Sequence, residues 1–317
     1  MAILTASNDI SDWGGAFGLD TDVSRFDNTR VPYSIIMANN TLTVMRGPHP
    51  APSSDTVWYH FRLRSGGAWG SADDGFFARI KALDTTTLCV LDTANGLIAV
   101  QSYGDTTATG TYVSGPAANT FIDVDLSVQV NASNVITTLY LNGTVASTAT
   151  VSNTSGGVGI ARYFEFDVND TNGFYMSEFI VADTDTRGMR LSRLKPTADG
   201  NYTAYVGGFA DVSDDNPATG VQSGTATDRE SYTFPTYSLA NAITAVVVTS
   251  SASVTGAGPT QIAQSLRVGT TDYDGSAITL SAAQLLATEV WALDPSDSGA
   301  WTAAKINACE SGFLAIA

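Results

Sequence analysis

One run of alternating residues carries side chains suited to sugar binding. Apolar and polar residues alternate over residues 56–64, as expected for a strand with one buried face. The polar face consists of Trp58, His60, Arg62 and Arg64. Aromatic rings stack on sugar rings, and guanidinium groups bind the acidic groups of a glycan. This row is therefore a candidate glycan-binding surface; the alternatives are pairing with surface carboxylates and contact with a neighbouring subunit.

A second segment offers oxygen ligands for a metal ion. Asp167, Asn169 and Asp170 lie close together in a turn-rich stretch, and Ca²⁺ prefers carboxylate and amide oxygens. The spacing does not complete an EF-hand loop, and the terminal bidentate Glu is absent. Asx turns that stabilise a hairpin are the alternative interpretation. The acidic loop 211–217 allows the same two interpretations, and calcium is the one cofactor that the sequence leaves open.

Other catalytic and metal-binding patterns are missing from the sequence. The chain has two histidines, His49 and His60, and it lacks a Gly-x-Ser-x-Gly elbow, a Cys/His metal motif and a phosphate-binding loop. Cys89 lies in an apolar run and Cys309 lies near the C-terminus. We expect both to be small buried residues rather than a disulfide.

The charge balance excludes several classes of partner. The 31 acidic residues outnumber the 15 basic residues, and the formal net charge is −16. Such a chain repels phosphate groups, so nucleic acid and anionic membranes are not expected partners. The sequence contains no apolar run of the roughly 18 to 20 residues that cross a membrane, and it begins without the pattern of a signal peptide. We therefore expect folding in the cytosol and no membrane insertion.

Short strands separated by turns predict an all-β fold. Alternating runs recur at residues 56–64, 76–83, 88–92, 97–103, 121–130, 135–141, 158–167 and 174–182. Asn142-Gly143 separates two of these runs and is a strong signal for a type I′ hairpin turn. Strands also follow at residues 230–234, 242–250, 261–268 and 284–291, and residues 298–310 read as a helix capped by Gly312. The pattern predicts two antiparallel β-sandwich, jelly-roll-like domains with a short C-terminal helix.

The order of elements in the first half resembles a known family. The hairpin at residues 135–143, the segment Gly156-Gly-Val-Gly-Ile160 and the closing strand at residues 175–181 resemble the concanavalin A-like, or laminin G-like, jelly roll. The resemblance covers about residues 10–186. It implies a lectin-like sandwich, which we place at residues 1–187, followed by a linker at residues 188–196.

Within this fold, one strand resembles the catalytic strand of laminarinase-type glycoside hydrolases. The matching residues are Glu165-Phe-Asp167-Val-Asn-Asp170, with Asp170 in place of the family's final Glu. The resemblance implies Glu165 as nucleophile and the last carboxylate as acid/base, at roughly 5 to 5.5 Å separation. The shorter Asp170 side chain and the turn around it favour a polar loop, so we expect no enzymatic activity.

The second half resembles a domain of tailed-bacteriophage virion proteins over about residues 190–317, and we place that β-sandwich domain at residues 197–317. The matching segments are Leu194-Lys-Pro-Thr-Ala-Asp-Gly200, the loop 211–217, residues 228–234, Thr271-Asp-Tyr-Asp-Gly275 and Glu289-Val-Trp291 with Asp294-Pro295 and Trp301-Thr302. The resemblance implies a structural component of the virion surface, a capsid decoration or spike protein, assembled in the host cytoplasm. We expect a homo-oligomer, with a trimer as the first choice, in contact with the major capsid protein. The alternatives are a tail fibre protein that binds host-surface glycan and a laminarinase-type hydrolase.

Overall fold

The chain is all-β, as predicted, and its strands pair antiparallel. The computed structural model describes residues 2–7, 18–32, 34–37, 42–45, 49–65, 75–168, 174–214, 216 and 218–317. The chain divides into two compact units, Met1–Arg193 and Leu194–Ala317. Within the described ranges, no helix is long and apolar enough to cross a membrane.

The first unit contains these strands: β1 Ile3–Ser7, β2 Gly18–Asp20, β3 Ser34–Met37, β4 Leu42–Met45, β5 Thr56–Ser65, β6 Gly75–Ala82, β7 Thr87–Ala94, β8 Leu97–Tyr103, β9 Thr107–Thr109, β10 Val113–Ser114, β11 Phe121–Val130, β12 Asn134–Leu141, β13 Thr144–Ser152, β14 Ala161–Val168 and β15 Phe174–Ala182. Sheet I has the order β13-β12-β11-β5-β15-β3-β2, with β1 on β15. Sheet II has the order β10-β8-β7-β6-β14-β4, with β9 on β8.

The core of the first unit lies between sheets I and II and is rich in aromatic rings. Tyr59 and Phe61 of β5 meet Phe164 of β14, each at a centroid distance of 5.6 Å. Phe164 also contacts Phe166 and Phe179, at 4.5 Å and 5.0 Å. These rings belong to one cluster of buried residues drawn from both sheets. Alternation in β5 therefore separates a core face from an outer face, as the sequence predicts.

The predicted hairpin turn joins β12 to β13. Asn142 and Gly143 have φ values of 49° and 76°, as a type I′ turn requires. Asn142 also joins the turn to the neighbouring strand β11, because its backbone N–H donates to the Asp123 carbonyl at 2.8 Å and its side-chain Oδ1 accepts from the Asp123 N–H at 3.0 Å.

The exposed edge of β13 is covered by its own chain. The Asp105 N–H donates to the Ser152 carbonyl at 2.8 Å. Gly104 and Gly110 lie so close to β13 that a Cβ would come within 2.4 Å of the Ser152 carbonyl and 2.6 Å of the Thr148 carbonyl. Glycine at both positions therefore lets the segment 104–110 lie against this edge.

The second unit contains these elements: β16 Ala198–Thr203, α1 Phe209–Ser213, β17 Arg229–Thr233, β18 Val246–Ala252, β19 Gln261–Val268, β20 Thr271–Asp274, β21 Ile278–Thr279, β22 Leu285–Trp291, α2 Ala303–Asn307 and β23 Cys309–Ile316. Sheet III has the order β16-β17-β23-β19-β20, with β21 on β19, and sheet IV pairs β18 with β22. Tyr232, Ile262 and Phe313 of sheet III pack with Ala287 of sheet IV. The second unit is thus a smaller sandwich.

The C-terminal helix is shorter than the sequence predicts. It covers Ala303–Asn307, and the Thr302 hydroxyl caps it by accepting from the Lys305 N–H at 3.3 Å. The chain then enters β23, so Gly312 lies inside a strand and is not a helix cap, which corrects that prediction. A Cβ on Gly312 would lie 1.9 Å from the Glu230 carbonyl oxygen. Pairing with both β17 and β19 overrides the helical tendency of the preceding residues.

The acidic loop of the second unit is also partly helical. Asp211 lies in α1 and accepts a hydrogen bond from the Gly208 N–H at 3.0 Å. Asp214 follows the last residue of α1, and its carboxylate accepts from the Asn216 N–H at 3.0 Å in a local turn, which lowers its pKa. Asp215 lies outside the described residues. The Asp211 bond caps the start of α1, and the Asp214 bond is an Asx turn after its end.

Candidate binding surface on the first unit

The predicted row of Trp58, His60, Arg62 and Arg64 lies on the outer face of β5, and we call it the β5 outer row. Strand β5 lies between β11 and β15 in sheet I. Its alternate residues are fully buried in the core: Val57, Tyr59, Phe61 and Leu63. Trp58, Arg62 and Arg64 are half-buried, but His60 is completely buried. The row is thus only partly accessible.

His60 is held in a buried hydrogen-bond network. Its Nδ1 lies 2.9 Å from Asp125 Oδ1, and the Thr186 hydroxyl donates to the same oxygen at 2.7 Å. All three residues have no exposed surface. Among the described residues, His60 Nε2 and Asp125 Oδ2 have no hydrogen-bond partner. His60 therefore links β5, through Asp125, to Thr186 in the segment that follows β15. Because its side chain is buried, it is not available to bind a glycan.

Those residues, 183–193, form a covering segment across the outer face of sheet I. Arg187, in this segment, lies over the rings of Trp58 and Tyr140, at 5.7 Å and 4.6 Å. The two rings stack on one another at 5.3 Å. Arg187 is exposed, and its hydrogen bonds from Nε and Nη2 to Asp185 raise its pKa. Trp58, Tyr140 and Arg187 form a partly exposed cluster, which we call the ring–arginine cluster.

The two arginines of the β5 outer row also lie against aromatic rings. The Arg62 guanidinium is 4.9 Å from the Phe121 ring, and that of Arg64 is 5.7 Å from the Tyr175 ring. Arg64 also donates from Nη2 to Asn119 Oδ1 at 2.9 Å. Both guanidinium groups thus lie against rings of the protein, and within the described part of the chain the buried Nε of each has no hydrogen-bond partner.

The covering segment is anchored by a buried ion pair, the Glu178–Arg190 clamp. Arg190 donates from Nε and Nη2 to the two carboxylate oxygens of Glu178, each at 2.6 Å, and from Nη2 to Asp27 at 2.9 Å. Glu178 also accepts from the Leu191 N–H at 3.2 Å. The Glu178 side chain has no exposed surface, whereas 22% of the Arg190 side chain is exposed. Hydrogen bonding to Glu178 raises the pKa of Arg190.

The clamp depends on an irregular backbone in β15. Glu178 has a φ of 57°, in the left-handed region that non-glycine residues rarely adopt. The pairing of β15 with β5 changes register between Ser177 and Ile180. This bulge departs from strict alternation, which sequence reasoning assumes throughout a strand.

Sequence reasoning missed Arg187 and Arg190 as parts of this surface. Arg190 lies in the predicted linker 188–196 and Arg187 lies directly before it, in a basic stretch that reads as a linker because it is rich in charge and ends at a proline. In the structure Arg190 binds Glu178, and the Arg193 N–H donates to the Arg30 carbonyl at 2.8 Å. The available signal was the local excess of arginine in an acidic chain.

The candidate catalytic carboxylate Glu165 lies on the outer face of sheet II and is 1% exposed. Its Oε1 is 3.4 Å from Arg79 Nη1, and its Oε2 forms an ion pair with Lys81. Asp167 belongs to β14, but its side chain, like Asn169 and Asp170, lies outside the described residues. The calcium ligands therefore stay a prediction. Among the residues whose side chains are described, no group of three His, Cys, Asp or Glu could hold a metal ion.

Comparison with known proteins assigns no family. No family model matches the chain, and no curated protein matches it. Solved structures with a similar arrangement include the binding domain of botulinum neurotoxin serotype D, with a TM-score of 0.39 and 9% identity over 58% of this chain and 48% of that chain. The serotype C1 binding domain gives 0.41 and 12%, over 85% and 68%. The binding domain of botulinum neurotoxin DC in complex with SialylT gives 0.40 and 11%, over 86% and 72%.

This chain spans about half the length of the serotype D domain. TM-scores near 0.4 carry no argument about function, so these likenesses add nothing to the site described above. The resemblance to bacteriophage proteins accordingly stays a prediction from the sequence.

Proposed function

We propose that this protein is a non-catalytic surface component of a tailed-bacteriophage virion, a capsid decoration or spike protein, whose first unit binds an acidic host glycan. The virion role rests on the resemblance of residues 190–317 to phage structural proteins. The glycan role rests on one observation, the partly exposed ring–arginine cluster. The protein would be assembled in the host cytoplasm and would contact further copies of itself and the major capsid protein.

The ring–arginine cluster combines the two kinds of group that acidic sugars need. Trp58 and Tyr140 offer apolar ring surface on which the C–H face of a sugar packs. Asp185 engages Nε and Nη2 of Arg187, and Nη1 makes no hydrogen bond within the described part of the chain. A sugar carboxylate can therefore accept from Nη1 without displacing Asp185.

The surroundings of Glu165 support a non-enzymatic role. A retaining glycoside hydrolase needs a carboxylate that reaches the anomeric carbon of its substrate. Glu165 is buried, and both of its oxygens face cations of β6. This arrangement favours an ion pair that joins β14 to β6.

The binding proposal is tested with an array of sialylated, uronic-acid, sulfated and neutral oligosaccharides, followed by calorimetric titration of the best acidic binder. We expect acidic glycans to bind in preference to neutral ones. Arg187→Gln should weaken binding by about tenfold or more, which corresponds to about 1.4 kcal/mol. Arg25→Gln is the matched control, because Arg25 lies over a different ring, that of Tyr175, at 4.5 Å.

Two results would contradict the binding proposal. One is an array on which no acidic glycan binds. The other is an Arg187→Gln variant that binds as tightly as the parent protein, or an Arg25→Gln control that loses binding to the same extent as Arg187→Gln.

The virion proposal is tested by a cryo-electron-microscopy map of the particle that contains this chain. Density at positions of capsid symmetry would support a decoration or spike protein. Density confined to the tail tip would favour the tail fibre alternative, and a particle without the protein would refute the virion role altogether.

A further inference from the structure

Strand β18 is an edge strand with an open side. It pairs with β22 in sheet IV and with no other strand of the described chain. Within the described residues, no backbone hydrogen bond outside that pairing involves Val246–Ala252. Its outer edge therefore presents backbone N–H and C=O groups that can pair with another strand.

This edge lacks the features that normally prevent pairing with another chain. Proteins protect edge strands with charged residues, proline or bulges. Strand β18 has the sequence Val-Val-Val-Thr-Ser-Ser-Ala, and its pairing with β22 is regular throughout. From Ser231 to Leu266 the chain carries no charged residue and no histidine, although its net charge is −16.

The other edge of sheet IV is engaged within the same chain. Glu289 of β22 accepts a hydrogen bond from the Ser276 N–H at 2.8 Å. The Trp301 indole donates to the Trp291 carbonyl at 2.8 Å. Residues of the same chain thus lie beside β22, whereas β18 offers the open side on which sheet IV can grow.

We propose that β18 pairs antiparallel with β18 of a second copy of this chain, so that sheet IV becomes a four-stranded sheet across a two-fold axis. The register that this pairing favours is centred on Thr249. Thr249 already faces Thr288, with the two hydroxyl oxygens 3.5 Å apart. Self-pairing at Thr249 continues this row as Thr288-Thr249-Thr249-Thr288, and threonine pairs of this kind stabilise sheets.

The charge distribution favours contact between two copies at β18 over contact at other parts of their surfaces. Two chains with a net charge of −16 repel one another, and an uncharged edge allows close approach. An isolated pair of strands is only marginally stable, whereas a sheet of four strands can be stable. Antiparallel self-pairing generates a closed dimer with two-fold symmetry, in contrast to the trimer expected from the sequence.

A lysine at the centre of the edge tests the proposal. Ser250 bonds to Gln264 of sheet III at 2.6 Å, so alternation places Thr249 on the outer face, where a lysine fits the monomer. In Thr249→Lys the two lysines would meet across the two-fold axis. The matched control is Thr150→Lys, an exposed position on β13, whose edge is covered by the segment 104–110. The measurement is the mass in solution by sedimentation equilibrium.

The expected result is a dimer of the 33.1 kDa chain for the parent protein and Thr150→Lys, and a monomer for Thr249→Lys. A monomeric parent protein would overturn the proposal and leave β18 to a strand of another protein. A trimer, or a dimer that Thr249→Lys leaves intact, would overturn it as well.

Crosslinking tests the register even if the lysine variant fails to fold. Cys89 and Cys309 are free in the parent chain, so the parent protein gives the background. With a short bismaleimide, Thr249→Cys should give a covalent dimer. Ser251→Cys should not, because its two copies would lie four residues apart along the strand, about 13 Å. Equal crosslinking of the two variants, or none of either, would contradict the proposed pairing.

Discussion

Removal of Arg190 should destabilise the first unit more than almost any other substitution on its surface. Arg190→Ala removes both guanidinium hydrogen bonds from the Glu178 carboxylate, whose side chain has no exposed surface. Breaking one side of a buried ion pair typically costs about 3 to 5 kcal/mol. We expect about 3 kcal/mol, because Arg190 is 22% exposed and water can enter the vacated position.

Substitution of the partner residue, Glu178, should reduce the free energy of unfolding by less. In Glu178→Gln, Arg190 keeps its hydrogen bond to Asp27 at 2.9 Å and its access to water. The asymmetry follows from burial, because the carboxylate is the fully desolvated partner. Arg187→Gln is the control, since it removes an exposed pair worth about 1 kcal/mol or less.

The assay is guanidinium unfolding, followed by near-ultraviolet circular dichroism of the parent protein and the three variants. The free energies of unfolding should decrease in the order parent, Arg187→Gln, Glu178→Gln, Arg190→Ala. A loss below about 1 kcal/mol for Arg190→Ala, or a larger loss for Glu178→Gln, would show that the clamp does not stabilise the covering segment as we argue.

Three further predictions concern the backbone and the charges of the two units. Gly143→Ala should cost about 1 kcal/mol in a thermal melt, because its φ is 76°. Gly157→Ala should cost less than half of that in the same assay, because its added Cβ would meet only the Ser155 hydroxyl, at an ordinary contact distance of 3.6 Å. Burial raises the pKa of Glu230, so its stabilising contribution is complete below about pH 4.3 and is lost as the pH rises through the folded pKa. The stability of Glu230→Gln relative to the parent protein should therefore increase between pH 4 and pH 7. The stability of Asp274→Asn relative to the parent protein should decrease over the same range, since hydrogen bonds from Arg229 lower the pKa of Asp274. Gly312→Ala should cost at least about 3 kcal/mol, because its Cβ would lie 1.9 Å from a carbonyl oxygen; a folded second unit of parental stability by calorimetry would contradict this.

Strands whose pattern is local were predictable from the sequence. The alternating runs at Leu97–Tyr103, Phe121–Val130 and Phe174–Ala182 match the observed strands β8, β11 and β15. The hairpin turn was equally predictable, because Asn-Gly sets its own backbone conformation. In each case the residues that determine the structure lie within the segment itself.

The C-terminal strand was not predictable in the same way. Residues 303–308 favour a helix by composition, and a short helix does form. The strand that follows is determined by its two neighbours, β17 and β19, which precede it by many residues. Local propensity carries no information on such pairing.

The site shows the same division. Alternation places Trp58 and Arg64 on the correct face of β5, but it cannot reveal what lies over that face. His60 is buried because Thr186 and the covering segment cross it. The contact of Arg190 with Glu178 needs a bulge that sequence periodicity does not encode.

The covering segment also determines how the first unit bears mechanical load. Arg190 and Arg193 are bonded to the first unit immediately before the chain passes into the second. A force applied through the second unit therefore reaches the Glu178–Arg190 clamp before it reaches the hydrogen bonds of β15. The clamp resists as several polar contacts loaded together, whereas a strand pulled from its end separates one hydrogen bond at a time. The clamp would therefore help to keep the sandwich closed under such a force.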